Sequence, residues 1–166
     1  MTTTSNLSDY LPYKRAYLDD PDRPVPTGAP LTARISTEGR AGVRRVRIRD
    51  HQIISDSGVA GGGSDFGPIP GEFLLAALGG CLSHGWIMQA ALADVTLHSL
   101  VIDVATTDAP EGSLAPVAYT YTVSVESDAS EATLLRLFAI VEEKSYVYRV
   151  LTNPVTINGS VSEGAR

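Results

Sequence analysis

Phe73-Leu-Leu-Ala-Ala-Leu-Gly-Gly-Cys-Leu-Ser-His-Gly-Trp-Ile-Met-Gln-Ala-Ala-Leu-Ala93 is a run of 21 residues without Asp, Glu, Lys or Arg. A run of that length is enough to cross a bilayer. It is interrupted by Gly79, Gly80, Ser83, His84, Gly85 and Gln89, flanked by Glu72 and Asp94, and has no adjacent Lys or Arg to set a topology. A buried core helix fits better. Pro70 suits a first helical turn and Glu72 suits the positive end of the helix dipole, so the helix starts near Pro70 and spans about 24 residues, roughly 36 Å. Its middle is apolar or small on every side, whereas a sheet covers only one side; a second subunit is the expected cover.

Downstream, Leu100, Ile102 and Val104 alternate on one face of a strand, and Val117, Tyr119, Tyr121, Val123 and Val125 on one face of the next, which reads as a hairpin. His98 shares the parity of Leu100 and Ile102 and is expected as a satisfied core histidine. A second helix follows, with Asp128 as N-cap, Glu131 three residues on, and Leu134, Leu135, Phe138 and Val141 at helical spacing. Val155 to Val161 reads as a closing strand. Upstream, Leu31 to Ile54 is strand-like, with Val46 and Ile48 on one face and Arg45, Arg47 and Arg49 on the other, a solvated face that discourages edge pairing. Gly58 to Gly67 is glycine-rich but lacks both the dinucleotide and the P-loop spacing, and reads as a flexible lead-in to the helix. Residues 12 to 30 hold five of the ten prolines, which favours an extended arm without regular structure. The order of elements gives an α+β fold in two layers, an antiparallel sheet packed on a long central helix. The organisation is a proline-rich arm (1–30) and one domain (31–166).

Composition narrows the partners. With 166 residues and a formal net charge of −6, the chain suits one globular domain and disfavours nucleic-acid and anionic-membrane surfaces. The lone cysteine cannot form an internal disulfide, and Met1 to Leu11 lacks the basic and apolar stretches of a secretory signal, so a cytoplasmic location is expected. Three histidines without metal spacing call for no metal, and no cofactor motif is present. Gly-x-Ser-x-Gly, His-Glu-x-x-His and Cys-x-x-Cys are all missing from the sequence. What remains is Cys81, with His84 three residues on and so on the same helical face. A neighbouring cation would make it a reactive thiolate, and apolar burial would leave it an inert small hydrophobe.

The run Gly67-Pro-Ile-Pro-Gly-Glu-Phe-Leu-Leu-Ala-Ala-Leu-Gly-Gly-Cys81 resembles the signature of the OsmC/Ohr family, usually Gly-Pro-Asn-Pro-x-Glu-Leu-Leu-Leu-Ala-Ala-Leu-Gly-x-Cys. The similarity extends upstream to Asp56 and Gly61-Gly62 and downstream to Ser145-Tyr-Val-Tyr-Arg-Val-Leu151, covering roughly residues 31 to 162. The resemblance implies an intertwined homodimer with two long central helices and interface sites that reduce organic hydroperoxides. In that cycle a first cysteine attacks the peroxide and becomes sulfenic acid, and a second condenses with it to a disulfide that an external dithiol reduces.

Cys81 matches the attacking position. At the second, the family usually reads Cys-Pro-Val-x-Arg-x-Leu, and here Ser145 replaces the resolving cysteine; a register slip of one would place Tyr146 there, with the same result. Arg40, in Gly39-Arg-Ala-Gly42, matches the activating arginine, although Arg34 and Arg44 lie nearby. The glutamate of the hydroperoxide reductases falls on Gly71, and Glu72 fits the neighbouring branch. Glu72 lies about 180° around an ideal helix from Cys81, so it is suited to orient Arg40 and not to act as base to the thiol. Three activities follow as expectations: a one-cysteine organic hydroperoxide reductase using an external thiol reductant, a catalytically inactive protein binding a small apolar ligand at the dimer interface, and a thiol-based sensor.

Overall fold

A computed structural model describes residues 7–24, 28–39, 42–111, 118–153 and 155–162 of the chain. Its centre is α2 (Pro70–Leu92), with Pro70 in the first turn and the Glu72 carboxylate accepting the Ile69 N–H at 2.8 Å. The helix ends in a Schellman-type turn. Val95 N–H donates to Ala90 at 2.9 Å and Asp94 N–H to Ala91 at 3.4 Å, with Asp94 at φ 56°, the left-handed position usually given to glycine. Leu78, Leu82, Trp86, Ala90 and Ala91 are its buried residues. α2 is the one described helix long and apolar enough to cross a membrane, and it packs against four other elements of the fold.

Those elements are α1 (Leu7–Asp19), the hairpin strand β4 (Leu97–Thr106), α3 (Glu131–Lys144) and α4 (Tyr146–Thr152). β4 pairs antiparallel with β5 (Tyr119–Ser127), and Leu100↔Val125, Ile102↔Val123 and Val104↔Tyr121 form the inward ladder expected from alternation. Val117 lies outside the described residues. A separate antiparallel sheet, β1 (Arg34–Glu38), β2 (Val43–Ile48) and β3 (His51–Ser55), precedes α2. On one face Ile35↔Val46↔Ile53 stand directly opposite one another; on the other Arg45 is held by Glu38 at 2.7 Å and Gln52 at 2.7 Å. The arginine face is therefore partly neutralised within the sheet.

Several expectations are corrected. The proline-rich arm is helical over Leu7–Asp19, because the stripe Leu7, Leu11, Leu18 packs on the core and outweighs the poor helix propensity of Pro12. His98 points outward and pairs with Asp128 at 3.1 Å, because a bulge between Leu97 and Ser99 shifts the strand's parity and buries Leu97 instead. The N-cap of α3 is Ser130, whose Oγ accepts the Thr133 N–H at 3.3 Å; Asp128 is as good a cap by residue type but is engaged with His98. Residues 155–161 form no strand within the chain, and Val155, Ile157 and Val161 are exposed. Among the described residues no strand pairs with this segment, so its backbone has no ladder to join.

Candidate functional site

Cys81 sits midway along α2, half-buried. α3 lies close against α2 one turn further on: a Cβ placed on Gly85 would stand 3.0 Å from Val141 Cγ1. Four residues on from Val141, at the C-cap of α3, and four back along α2 from Gly85, the two helices meet again at Ser145 and Cys81. The Ser145 Oγ donates to Cys81 Sγ at 3.2 Å. The side chain of Ser145 is fixed by its place between two helices. Its backbone N–H closes α3 on Val141 at 2.9 Å, and its Oγ caps α4 by accepting the Tyr148 N–H at 3.4 Å. Ser145 is only 4% exposed, so water does not compete for that contact.

A cleft of about 350 Å³ is lined by Leu78, one turn before Cys81 on α2, with Tyr119, Tyr121, Tyr148 and Leu151. Its aromatic wall is ordered by Glu142, which accepts a short hydrogen bond from the Tyr121 hydroxyl. Burial first, and then the Glu142 carboxylate, pushes the Tyr121 phenol well above its usual range. Burial first, and again Glu142, raises Tyr148. Both phenols stay protonated at neutral pH and act as donors.

Glu72 is not brought to Cys81: it caps the start of α2 and lines a different cleft with Leu75, Thr107 and Tyr119. His84 is exposed, and no hydrogen bond or ion pair joins it to Cys81 among the described residues. Arg40 lies outside the described residues. Among the described residues no group of three His, Cys, Asp or Glu is placed to hold a metal ion.

The glycine-rich segment ahead of α2 is built, not loose. Asp56, 1% exposed, accepts the N–H groups of Ser57 at 2.7 Å, Ser64 at 3.0 Å and Phe66 at 3.2 Å. A Cβ on Gly63 would stand 1.9 Å from the Ser57 carbonyl oxygen, so only glycine fits where the loop folds over itself. Those backbone hydrogen bonds, from Ser57 foremost, hold the Asp56 carboxyl below its usual range. An aspartate two residues before a glycine-rich run is the signal in the sequence: a short carboxylate organises successive backbone N–H groups.

A model of the OsmC-like protein family matches residues 61–160. Comparison with curated proteins by sequence finds no match. Among solved structures the chain is similar to an OsmC-like protein from Mycoplasma pneumoniae, with a TM-score of 0.65 and 16% identity, covering 76% of this chain and 89% of the other. It is also similar to an organic hydroperoxide resistance protein OsmC from Legionella pneumophila, with a TM-score of 0.55 and 13% identity, covering 76% and 91%. A third is a putative organic hydroperoxide resistance protein from Vibrio cholerae with captopril bound in one of its active sites, with a TM-score of 0.53 and 17% identity, covering 80% and 91%.

Proposed function

We propose, starting from the fact that the chain belongs to the OsmC-like protein family, that it reduces organic hydroperoxides through Cys81 with an external thiol as reductant. The observation that carries this reading is the approach of Ser145 to Cys81 at 3.2 Å. The residue that replaces the family's second cysteine stands beside the first, so the spatial relation of a thiol-oxidising site is kept while its disulfide chemistry is not.

In the proposed cycle the Cys81 thiolate attacks the distal oxygen of the hydroperoxide. An S–O bond forms, the O–O bond breaks, sulfur is oxidised to sulfenic acid, and the alkoxide leaves and takes a proton to give the alcohol. A first external thiol condenses with the sulfenic acid, releasing water and leaving a mixed disulfide; a second displaces Cys81 and leaves as the oxidised disulfide. Arg40 is the cation assigned to the thiolate and the peroxide, and Glu72 the residue assigned to orient it. A cytoplasmic setting, inferred from the lone cysteine, would supply such thiols.

The working unit in this proposal is a homodimer. Ile35, Ile48 and Ile53 of the three-stranded sheet are 56%, 38% and 37% exposed, on the face that lacks a packing partner among the described residues. A second copy of the chain provides the apolar cover that both this face and the outer side of α2 require.

A second reading, favoured by the aromatic cleft between Leu78, Tyr121 and Tyr148, is a catalytically inactive protein that holds a small apolar ligand there. The presence of captopril in an active site of the Vibrio cholerae relative is consistent with either. The deciding experiment is thiol-dependent consumption of cumene hydroperoxide by the purified protein, beside Cys81→Ser and beside hydrogen peroxide. Turnover specific to the organic peroxide and lost in the variant supports the reductase. No turnover, with Cys81 alkylating no faster than a free thiol, supports ligand binding.

A further inference from the structure

We infer that Ser145 is a positioning residue for Cys81 whose hydroxyl proton is committed to the sulfur, and that its oxygen is the one atom holding the site to a single-cysteine cycle. The inference rests on the proposed chemistry of Cys81 and adds a role for a residue that the family pattern would give to a thiol.

A serine hydroxyl has one proton to donate and lone pairs to accept with. At Ser145 the Tyr148 N–H occupies an acceptor position, at 3.4 Å, and the remaining described partner of Oγ is Cys81 Sγ. Once sulfur is a thiolate it has no proton, so the hydroxyl is the donor. With the side chain buried and capped into the first turn of α4, the donor is held in place before the reaction begins. After oxidation the same hydroxyl faces the sulfenic acid but cannot form a disulfide with it, so the intermediate waits for a thiol from outside. A thiol at this position would neighbour the Cys81 sulfur, in the place from which the hydroxyl cannot make the disulfide bond.

The test uses iodoacetamide alkylation of Cys81 at one fixed neutral pH in the full-length protein, with Ser145→Ala, Ser145→Gly and Ser145→Thr. Glycine is tolerated at a helix N-cap nearly as well as serine, so it leaves the start of α4 in place and removes the donor. A hydrogen bond held on the reacting sulfur is worth a factor of roughly three to ten in the population of the attack-ready side chain. Alanine and glycine are therefore both expected to slow alkylation by roughly threefold to tenfold, and threonine to restore it. Glycine or alanine reacting at the wild-type rate would overturn the assignment. Ser145→Cys, oxidised with diamide, is expected to lose both thiols to one intrachain disulfide; two thiols remaining would also overturn it. None of these readings involves peroxide, so a protein without hydroperoxide turnover would sink the proposed function and leave this inference to stand or fall separately.

Discussion

The Ser145 hydroxyl lies 3.2 Å from the Cys81 sulfur across 64 residues of sequence, four residues along α2 from the close approach of Gly85 to Val141 that brings α3 against α2. An oxidised Cys81 has no second cysteine in its own chain to condense with. One equivalent of cumene hydroperoxide is therefore expected to give a protein one oxygen atom heavier that couples to dimedone in nearly full yield, and excess peroxide to add a second oxygen. Intact mass before and after dimedone measures both. An unchanged mass with Cys81 still alkylatable would rule out the attack step.

The three-stranded sheet makes a separate prediction. Ile53 stands opposite Val46, which stands opposite Ile35, and this apolar row has no packing element over it among the described residues. If a second copy covers it, Ile53→Glu buries an unpaired charge in the interface and weakens association at least a hundredfold. Sedimentation at micromolar concentration is expected to give a dimer for the wild type and a monomer for the variant. A monomeric wild type would remove the interface outright.

The core allows a comparison between two buried α2 residues. Leu82, 1% exposed, is purely apolar, and Leu82→Ala should cost about 2–5 kcal/mol by lost burial and an unfilled cavity. Trp86 is 2% exposed, but its indole N–H has no hydrogen-bond partner among the described residues. Trp86→Phe gives up contact area and also removes a buried orphan donor that costs about 1–3 kcal/mol, so its net effect should stay within about 1 kcal/mol. Urea unfolding of both variants decides it, and a Trp86→Phe loss matching that of Leu82→Ala would show that the N–H is satisfied.

The central helix, the inward faces of the hairpin strands and the family were legible because each rests on local pattern: an uninterrupted apolar run, strict alternation and a contiguous motif around Cys81. The contact between Ser145 and Cys81 was legible only as an implication of the motif, since no spacing encodes a distance across 64 residues. Three features escaped for physical reasons. Parity counting placed His98 inside because a β-bulge leaves no trace in residue type. Proline content suggested an arm where Leu11 is buried against the core, so that packing decided what propensity opposed. The glycine run looked flexible because glycine's freedom was visible and the three hydrogen bonds that remove it were not.

Those three bonds to Asp56 set the last prediction. A carboxyl held below its usual range binds its proton less readily in the folded chain than in the unfolded one, so its contribution to stability is complete above the ordinary aspartate value of 3.8. It is lost as the pH falls below that value and through the lower one of the folded state. Asp56→Asn keeps one acceptor oxygen where the wild type uses two, Oδ1 for Ser57 and Oδ2 for Ser64 and Phe66. The variant should be less stable at neutral pH and should lose less on acidification, so the two urea midpoints converge toward pH 3. Gly63→Ala, whose added methyl meets the Ser57 carbonyl at 1.9 Å, should weaken the same loop at every pH. It should therefore shift the whole curve without changing its slope on the acid side. Parallel curves for Asp56→Asn and wild type would show that the carboxylate's charge is not what organises the loop.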